Sequence, residues 1–339
     1  MVSSVKEIIK TAPVFAQLTD LAAERLGGKV LYATDDFFAE KENLIKKGRG
    51  IFITDKYTDR GKWMDGWESR RKRTPGHDWA IVQLATPGKI AGFDIDTNFF
   101  LGNHPPHASV EAIYLEDASK ISDWETLPWE EILAKSHLDA GSQNFYECKS
   151  EKLFTHLRLH IYPDGGVARF RVYGTVFKNW DAVAADETVD LAAAINGGQA
   201  IACNDMFFSA MSNLIMPSRG INMGDGWETK RNRTPNNRDW VVLQLATTGT
   251  INKILVDTCH FKGNYPDRCS VEGCLLTENS DPLAENVQWI SILPEQKLSA
   301  DSEHEFEAEI SNKGLFSHIR LNIFPDGGIS RLRLWGNKK

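Results

Sequence analysis

The sequence predicts an all-β protein built from two tandem, homologous β-sandwich domains of jelly-roll type. Three observations lead to this prediction. The block at residues 65–75, Asp-Gly-Trp-Glu-Ser-Arg-Arg-Lys-Arg-Thr-Pro, returns at 225–235 as Asp-Gly-Trp-Glu-Thr-Lys-Arg-Asn-Arg-Thr-Pro. The last third of each copy alternates apolar and polar residues, which is the period of a strand. Clusters of Pro, Gly, Asn and Asp separate short β-branched runs, as they do in sandwiches and barrels.

The duplication extends over most of the chain, because further matches follow in the same order. Phe-Thr-His-Leu-Arg-Leu-His-Ile-Tyr-Pro-Asp-Gly-Gly at 154–166, for example, corresponds to Phe-Ser-His-Ile-Arg-Leu-Asn-Ile-Phe-Pro-Asp-Gly-Gly at 316–328. Two long copies with few insertions indicate two domains, not a solenoid. A chain of 339 residues gives each domain enough length to bury its own core. We therefore expect a first domain at 1–174, a linker at 175–187 and a second domain at 188–339.

Each copy is expected to open with a helix. The first is predicted from Leu18 to Leu26 and the second from Asp190 to Ile195, each before a pair of glycines that can end it. After these segments the helical period fades, and the all-β pattern takes over.

A β-hairpin is predicted in the last third of each copy. Leu157, Leu159 and Ile161 alternate with polar or aromatic neighbours, and after the Pro-Asp-Gly-Gly turn Phe170 and Val172 do the same. We expect Asp164 to hydrogen-bond the turn backbone and the glycines to supply its positive φ angles. The second copy repeats this pattern between 319 and 334, with Asp326 in the turn.

Composition limits the classes of function. Apolar residues make up 42% and charged residues 25%, as in ordinary globular proteins, and the formal net charge of −7 argues against a nucleic-acid partner. No apolar run is long enough to span a membrane. Charged residues interrupt the N-terminal apolar residues, which is not the pattern of a signal peptide. The five cysteines, an odd number, indicate reduced thiols and a cytoplasmic protein. Cys259, Cys269 and Cys274 lack the paired spacing of a metal site.

The repeated Asp-Gly-Trp-Glu block carries the chemistry most open to function. Asp65 and Glu68 can accept hydrogen bonds from amide N–H groups, while Arg70, Arg71 and Arg73 can clamp a carboxylate. The alternative is a scaffold loop whose tryptophan fills the core and whose acids pair with arginines. Retention in both copies favours the scaffold for each single residue, and both interpretations stay open.

Histidines offer a weaker signal. His104 and His107 could form half of a metal site in the first copy alone, but a third ligand is missing. His156 recurs in the second copy as His318 and is expected to be a packed structural residue. His160 is replaced by Asn322, which makes it the stronger catalytic candidate.

The chain resembles the allantoicase (allantoate amidinohydrolase) family. The resemblance rests on the segment 26–39, Leu-Gly-Gly-Lys-Val-Leu-Tyr-Ala-Thr-Asp-Asp-Phe-Phe-Ala, on the two Asp-Gly-Trp-Glu blocks and on the two Pro-Asp-Gly-Gly turns. It covers essentially the whole chain. It implies two jelly-roll domains of the galactose-binding type, a hydrolase that cleaves allantoate to ureidoglycolate and urea in purine and allantoin catabolism (EC 3.5.3.4), and a cytosolic homo-oligomer, for which a hexamer is one arrangement.

The family supplies no established catalytic set, so the site residues are inferred from the substrate it implies. Allantoate carries one carboxylate and two ureido groups on a single carbon, so cleavage needs an anion clamp and a proton carrier. We expect Arg71 or Arg73 to bind the carboxylate, Glu68 or Asp65 to act as acid or base, and Asp36 or His160 to assist. The assigned residues are, for catalysis, Glu68, Asp65, Asp36 and His160 and, for substrate binding, Arg70, Arg71, Arg73, Glu228, Arg231 and Arg233.

Three further questions stay open at this point. No metal ligands are assigned and no cofactor is established, although a divalent metal could polarise the ureido carbonyl. The rival function is a non-catalytic tandem module that binds carbohydrate or another small molecule, because jelly rolls of this kind often bind sugars. We expect the chemistry in the first copy, which has the longer segment at 39–64 and more histidines, although a site between domains or subunits remains an alternative.

Overall fold

The computed structural model describes residues 12–119, 121–277 and 280–339. The chain divides into two compact units, the first ending at Val176 and the second beginning at Phe177. Residues 177–187, assigned above to a linker, hydrogen-bond within the second unit, where Asn337 Nδ2 donates to Glu187 O at 3.1 Å. None of the helices formed by the described residues has the length and apolar character that a membrane-spanning helix needs.

Strands dominate the first unit. They are β1 (Thr19–Asp20), β2 (Lys29–Ala33), β3 (Tyr57–Thr58), β4 (Gly61–Lys62), β5 (Trp67–Glu68), β6 (Asp78–Asp96), β7 (His107–Ile113), β8 (Glu130–His137), β9 (Phe145–Glu147), β10 (Leu153–Tyr162), β11 (Gly166–Val167) and β12 (Arg169–Val176). Three short 3-10 helices, Val14–Gln17, Glu24–Leu26 and Lys41–Ile45, complete the regular structure that the described residues of this unit form.

The second unit repeats the same order of strands without the β3–β4 pair. Its strands are β13 (Val189–Asp190), β14 (Gln199–Cys203), β15 (Trp227–Glu228), β16 (Asp239–Asp257), β17 (Arg268–Cys274), β18 (Ile290–Lys297), β19 (Glu303–Phe306), β20 (Phe316–Phe324), β21 (Gly328–Ile329) and β22 (Arg331–Lys338). The 3-10 helices described here are Trp180–Ala182, Ala194–Asn196, Met211–Ile215 and Met223–Asp225.

The predicted helices at the start of each copy are wrong. In the first copy the segment forms β1 and then a single 3-10 turn. Asp20 explains the difference, because its Oδ1 accepts the backbone N–H groups of Ala22 (3.2 Å) and Val172 (3.1 Å) and so ties the segment to β12. Asp190 does the same for Ala192 and Leu334 in the second copy. Such side-chain bonds to the backbone compete with helix formation.

One long strand organises each unit. The first half of β6 lies in the strand order β2-β6-β10-β7-β8, and its second half lies in the order β9-β6-β12-β1. The second unit repeats this arrangement around β16. Apolar side chains from both sets of strands, including Leu159, Phe93 and Phe170, share one buried cluster. The all-β prediction is therefore confirmed, and the core lies between the two sets.

The predicted hairpin is wrong, because β10 and β12 flank β6 and do not pair with each other. Strand periodicity identified both strands, but it carries no information about which strand is the partner. The connection between them crosses from one set of strands to the other. On the way its β11 pairs with β5, with Gly166 opposite Glu68 and Val167 opposite Trp67.

The two sequence motifs therefore pack against each other. Gly165 has a φ of +136°, and a Cβ on Gly166 would lie 1.9 Å from Cδ1 of Phe100, so the turn depends on both glycines. Asp164 was expected to hydrogen-bond the backbone of its own turn. Its Oδ2 instead accepts the backbone N–H of Lys72 at 2.8 Å. Asp326 binds Asn232 N in the same way in the second copy.

Candidate active site

A cleft in the first unit is lined by Glu68, an acidic residue of the predicted set. Its volume is about 460 Å³. Its lining combines one carboxylate, one amide, two cationic side chains and several apolar rings. The lining residues are Phe38, Phe52, Arg60, Gly61, Lys62, Met64, Glu68, Phe99, Leu101, Gly102 and Asn103.

Glu68 is held rigidly at this cleft. It lies on β5, which pairs with β11 on one side and bridges to Ala39 on the other. Its Oε1 accepts a hydrogen bond from Asn103 Nδ2 at 2.7 Å. Burial raises the pKa of Glu68 above its usual value of 4.5, and the bond from Asn103 only partly opposes that shift. A carboxyl group with a raised pKa in a cleft is a candidate for proton transfer.

The cations come from the β3–β4 turn. Arg60 donates one of its N–H groups to Phe37 O at 3.1 Å, and a guanidinium has four more. Lys62 Nζ donates to Ile53 O at 2.8 Å and to Thr54 O, so its charge is largely occupied by backbone carbonyls. Arg60 is therefore the better placed of the two to bind an anionic ligand.

Aromatic rings form the walls of the cleft. Phe52 and Phe99 stack with ring centroids 5.5 Å apart and an interplanar angle of 28°. The backbone N–H of Phe38 donates to Glu68 O at 3.2 Å, and all three rings remain more than a third exposed. Apolar walls around a few polar groups are typical of small-molecule sites.

The second copy has a residue equivalent to Glu68 but no cationic residues equivalent to Arg60 and Lys62. Glu228 Oε1 accepts from Asn264 Nδ2, as Glu68 does from Asn103. Arg49-Gly50-Ile51 corresponds to Arg219-Gly220-Ile221, so the segment that the second copy lacks falls at 52–61 and contains Arg60. Lys62 corresponds to Asn222 in the second copy. The polar pair is thus common to both copies, whereas the basic turn belongs to the first alone.

Asp65 behaves as the scaffold interpretation expects. Its Oδ2 accepts from Arg169 Nη2 at 2.7 Å and from Ile51 N at 2.9 Å, and both partners of the ion pair are nearly buried. Asp225 and Arg331 form the same pair in the second copy, also at 2.7 Å. The structure therefore places Asp65 in a buried ion pair.

The arginines of the repeated block lie outside the cleft lining. Arg70 pairs with Asp35, with Nε 2.6 Å from Oδ2. Burial acts to raise the pKa of Asp35, but the hydrogen bonds from Arg70 outweigh it and lower that pKa. Arg71 and Arg73 are exposed and have no polar partner among the described residues, and neither lines the cleft.

Arg231 and Arg233, which correspond to Arg71 and Arg73 in the second copy, are exposed as well. Asp36 is half-exposed with its Oδ2 3.8 Å from Lys41 Nζ, and it does not line the cleft.

His160 belongs to a separate polar cluster on β10. Its Nε2 lies 2.7 Å from Glu111 Oε2, and its Nδ1 lies 2.8 Å from His77 Nε2. Burial lowers the pKa of His160 although Glu111 acts in the opposite direction. In the second copy Asn322 donates to Glu272 at 2.8 Å instead. His160 is absent from the cleft lining, so the structure does not bring it together with Glu68 there.

The histidines of the 104–107 loop gain no further ligands. His104 Nδ1 is buried without a hydrogen-bond partner, and the His107 ring packs against His137 with centroids 5.5 Å apart. Neither belongs to a group of three potential metal ligands among the residues that the structure describes.

Sequence reasoning missed Asn103, Arg60 and Lys62. The signal for Asn103 was present, because Gly102-Asn103 recurs as Gly263-Asn264. The signal for Arg60 was the extra length of the 39–64 segment, which favoured the first copy for chemistry without identifying a residue. Neither signal shows that these residues line one cleft with Glu68.

Comparison with known proteins agrees with the predicted resemblance. The family profile described as "Allantoicase repeat" matches residues 19–177 and 189–339, once for each copy. A protein of Photobacterium profundum named as a probable allantoicase is 51% identical over 326 residues, covering 96% of this chain and 98% of the relative. A probable allantoicase of Pseudomonas fluorescens is 51% identical over 327 residues, with coverage of 96% and 98%.

Solved structures agree with the fold. A crystal structure of allantoicase from Saccharomyces cerevisiae matches with a TM-score of 0.80 at 38% identity, covering 94% of this chain and 92% of that one. Another structure described as allantoicase matches with a TM-score of 0.82 at 38% identity, with coverage of 94% and 93%. The predicted fold class of two tandem jelly-roll domains is confirmed. The family profile over both copies and the relatives at half identity show that this chain belongs to the allantoicase family.

Proposed function

We propose that this protein is an allantoicase, a hydrolase that cleaves allantoate to ureidoglycolate and urea, and that the Glu68 cleft of the first copy is its active site. The observation that carries the site assignment is a carboxyl group of raised pKa beside a guanidinium in one cleft. The relatives named as allantoicases support the reaction. They do not favour the rival carbohydrate-binding module.

Arg60 binds the substrate carboxylate in this proposal. A guanidinium offers the planar pair of N–H groups that a carboxylate accepts in bidentate fashion, and Arg60 keeps most of its donors free of Phe37. This replaces the sequence-based assignment of Arg71 or Arg73, which do not line the cleft. Asn103 and Glu68 line the same cleft and can bind ureido N–H and carbonyl groups.

Glu68 carries the proton through both halves of the reaction. In its protonated form it gives a proton to the nitrogen of the departing urea, while the lone pair of the remaining ureido nitrogen forms a C=N bond. The resulting carboxylate then takes a proton from water as the water oxygen adds to that carbon, which regenerates protonated Glu68. The raised pKa of Glu68 favours the protonated form at the start. Asp65 supports β5 and the loop at 51 through its ion pair, and Asp36 and His160 have no step here.

The donor set of the cleft suits an anion better than a divalent metal. One carboxylate and one amide face two cations, whereas hard divalent cations take about six oxygen ligands. Metal polarisation of the ureido carbonyl therefore has no step in the proposal, and activity is expected to survive exhaustive chelation.

The cellular setting is proposed from the family resemblance. It comprises purine-derived nitrogen recovery, a cytoplasmic location and a homo-oligomer, with a hexamer as the first arrangement to test by light scattering. The domain limits at 1–174 and 188–339, which were predicted from the internal duplication, are also part of the proposal.

Urea release from allantoate by the purified protein tests the proposal, with Glu68→Gln and Glu228→Gln as matched variants. We expect release to be abolished in Glu68→Gln and retained in Glu228→Gln, with both variants folded by circular dichroism. Equal loss in the two variants would remove the assignment to the first copy. Absence of release from the wild-type protein would refute the enzymatic function, and a glycan panel would then be the next assay.

A further inference from the structure

A second group of chemically active side chains lies in the second unit, apart from the proposed active-site residues. Cys259 and His260 follow the end of β16, and Asp301 lies in the loop before β19. One potential ligand atom from each of these side chains lies within 4.8 Å of the other two. The three residues supply a sulfur, an imidazole nitrogen and a carboxylate oxygen from two different loops.

The hydrogen bonds of His260 leave one ring nitrogen for coordination. Its Nε2 lies 2.8 Å from the carbonyl oxygen of Gly220, which can only accept, so Nε2 carries the proton. Nδ1 of the neutral ring therefore has a free lone pair. Histidines that bind metals usually donate their other N–H to a backbone carbonyl or carboxylate in this way.

The group is specific to the second copy. Thr97 Oγ1 donates to Asp139 O at 2.6 Å in the first copy, and Thr258 Oγ1 donates to Ser299 O at 2.7 Å in the second, which fixes the correspondence of the two loop pairs. At the matching positions the first copy has Asn98, Phe99 and Gly141. All three positions carry potential ligands in the second copy.

Asp301 replaces glycine at a position that glycine fits better. Gly141 has a φ of 63°, and Asp301 has a φ of 51°, a left-handed conformation that disfavours most side chains. Asp301 Oδ1 accepts the His260 backbone N–H at 2.7 Å, which holds the two loops together. Its side chain is exposed, and Oδ2 is 4.0 Å from Lys262 Nζ, at the limit of an ion pair.

The surrounding charges permit a cation. Two cations lie nearby: Lys262 beside Asp301, and Arg219, which is paired with Asp257 at 3.0 Å and with Glu303 at 3.2 Å. Burial is the largest influence on Cys259 and raises the pKa of its thiol, which makes this cysteine a poor free nucleophile. A bound metal ion deprotonates such a thiol.

We propose that Cys259, His260 and Asp301 bind one Zn²⁺ ion, with water as a fourth ligand. Sulfur, nitrogen and carboxylate donors together suit zinc, and three protein ligands with one open position form a known zinc geometry. Binding replaces the proton of Cys259, which is released to solvent, and closes the distances among the ligands. The ion joins the loop after β16 to the loop before β19 and so stabilises the second unit.

The test is a titration of the chelator-treated full-length protein with Co²⁺ as a spectroscopic substitute for Zn²⁺. The wild-type protein is expected to bind one Co²⁺ per chain, with the near-ultraviolet absorption of a cobalt–thiolate bond. Cys259→Ser abolishes that absorption, and Asp301→Gly weakens binding by more than about tenfold. The control Cys203→Ser, which removes a half-buried cysteine of β14, behaves like the wild type.

Asp301→Gly keeps the test informative if Cys259→Ser folds poorly, because glycine is the residue that the first copy uses at this position. Zn²⁺ is also expected to raise the Tm of the wild type and of Cys203→Ser but not that of Cys259→Ser. Absence of stoichiometric binding, or a thiolate absorption that persists in Cys259→Ser, would overturn the proposal.

Discussion

At the residue scale, the partner of the carboxylate rather than the residue type separates the proposed catalytic acid from its neighbours. Asp65 and Glu68 stand three positions apart in the same block. Asp65 has the guanidinium of Arg169 against it, while the partner of Glu68 is the neutral amide of Asn103. An uncompensated buried carboxyl has a raised pKa and is suited to transfer protons, whereas a paired one supports the fold.

Asn103→Leu is expected to shift the pH profile of activity. Its amide donates to the ionised form of Glu68 and lowers the pKa, so removing it raises that pKa further. A general acid is active below its pKa, and the descending limb of kcat/KM should therefore move to higher pH, by up to about one unit. Asn264→Leu in the second copy is the matched control, and an equal shift in both variants would contradict the assignment.

Arg60→Lys is expected to lower kcat/KM for allantoate by about tenfold to a hundredfold, because lysine lacks the planar fork that binds a carboxylate. Arg71→Lys should leave kcat/KM unchanged, since Arg71 does not line the cleft. Steady-state kinetics of the two variants decide whether Arg60 or Arg71 binds the substrate carboxylate. A loss of kcat/KM confined to Arg71→Lys would support the sequence-based assignment to Arg71.

His156 gives a stability prediction. Burial lowers its pKa to about 4, well below the ordinary value of 6.5. The unfolded chain therefore binds a proton that the folded protein excludes, and stability is lost as the pH falls from about 6.5 to about 4, by up to about 3 kcal/mol. Chemical denaturation of His156→Leu should show a shallower loss than the wild type over this range. The exposed His137→Gln, as control, should follow the wild type.

At the element scale, periodicity identified strands but could not predict how they pair. Leu157, Leu159 and Ile161 are fully buried, as their alternation predicted. The strand they belong to pairs with the first half of β6 and not with the strand that follows it. Pairing depends on contacts between residues distant in sequence, such as those of Gly166 with Phe100, which no local pattern contains.

The β3–β4 segment is predicted to serve function and not folding. Deleting residues 52–61 would join Ile51 to Lys62, as Ile221 joins Asn222 in the second copy. The deleted residues are all exposed, so the Tm should change little, while allantoate cleavage should be lost together with Arg60. Circular dichroism melts and urea release measure the two effects separately. A deleted protein that keeps full activity would exclude Arg60 as the carboxylate ligand.

At the scale of the whole molecule, comparison of the two copies separates scaffold from function. The sequence alone predicted the duplication and the fold class, because the repeated motifs are local, and it supplied Glu68 as a candidate. It could not separate Asp65 from Glu68, since both recur. The structure adds that the features both copies share include buried ion pairs and the hydrogen bonds of Asp20 and Asp190 to the backbone, whereas the basic turn at 52–61 and the Cys259 group each occur in one copy.

This separation predicts matched losses of stability in the two copies. Asp65→Ala and Asp225→Ala each leave an arginine that is almost wholly buried without its carboxylate partner, so each should lower the free energy of unfolding by about 3–5 kcal/mol. Replacing both partners by apolar groups, as in Asp65→Ala/Arg169→Met, should recover much of that loss, because the unpaired charge is then gone. Urea denaturation followed by fluorescence measures all three. Glu68→Gln should change the stability far less than Asp65→Ala, and a cost as large as that of Asp65→Ala would mean that Glu68, too, is part of the scaffold.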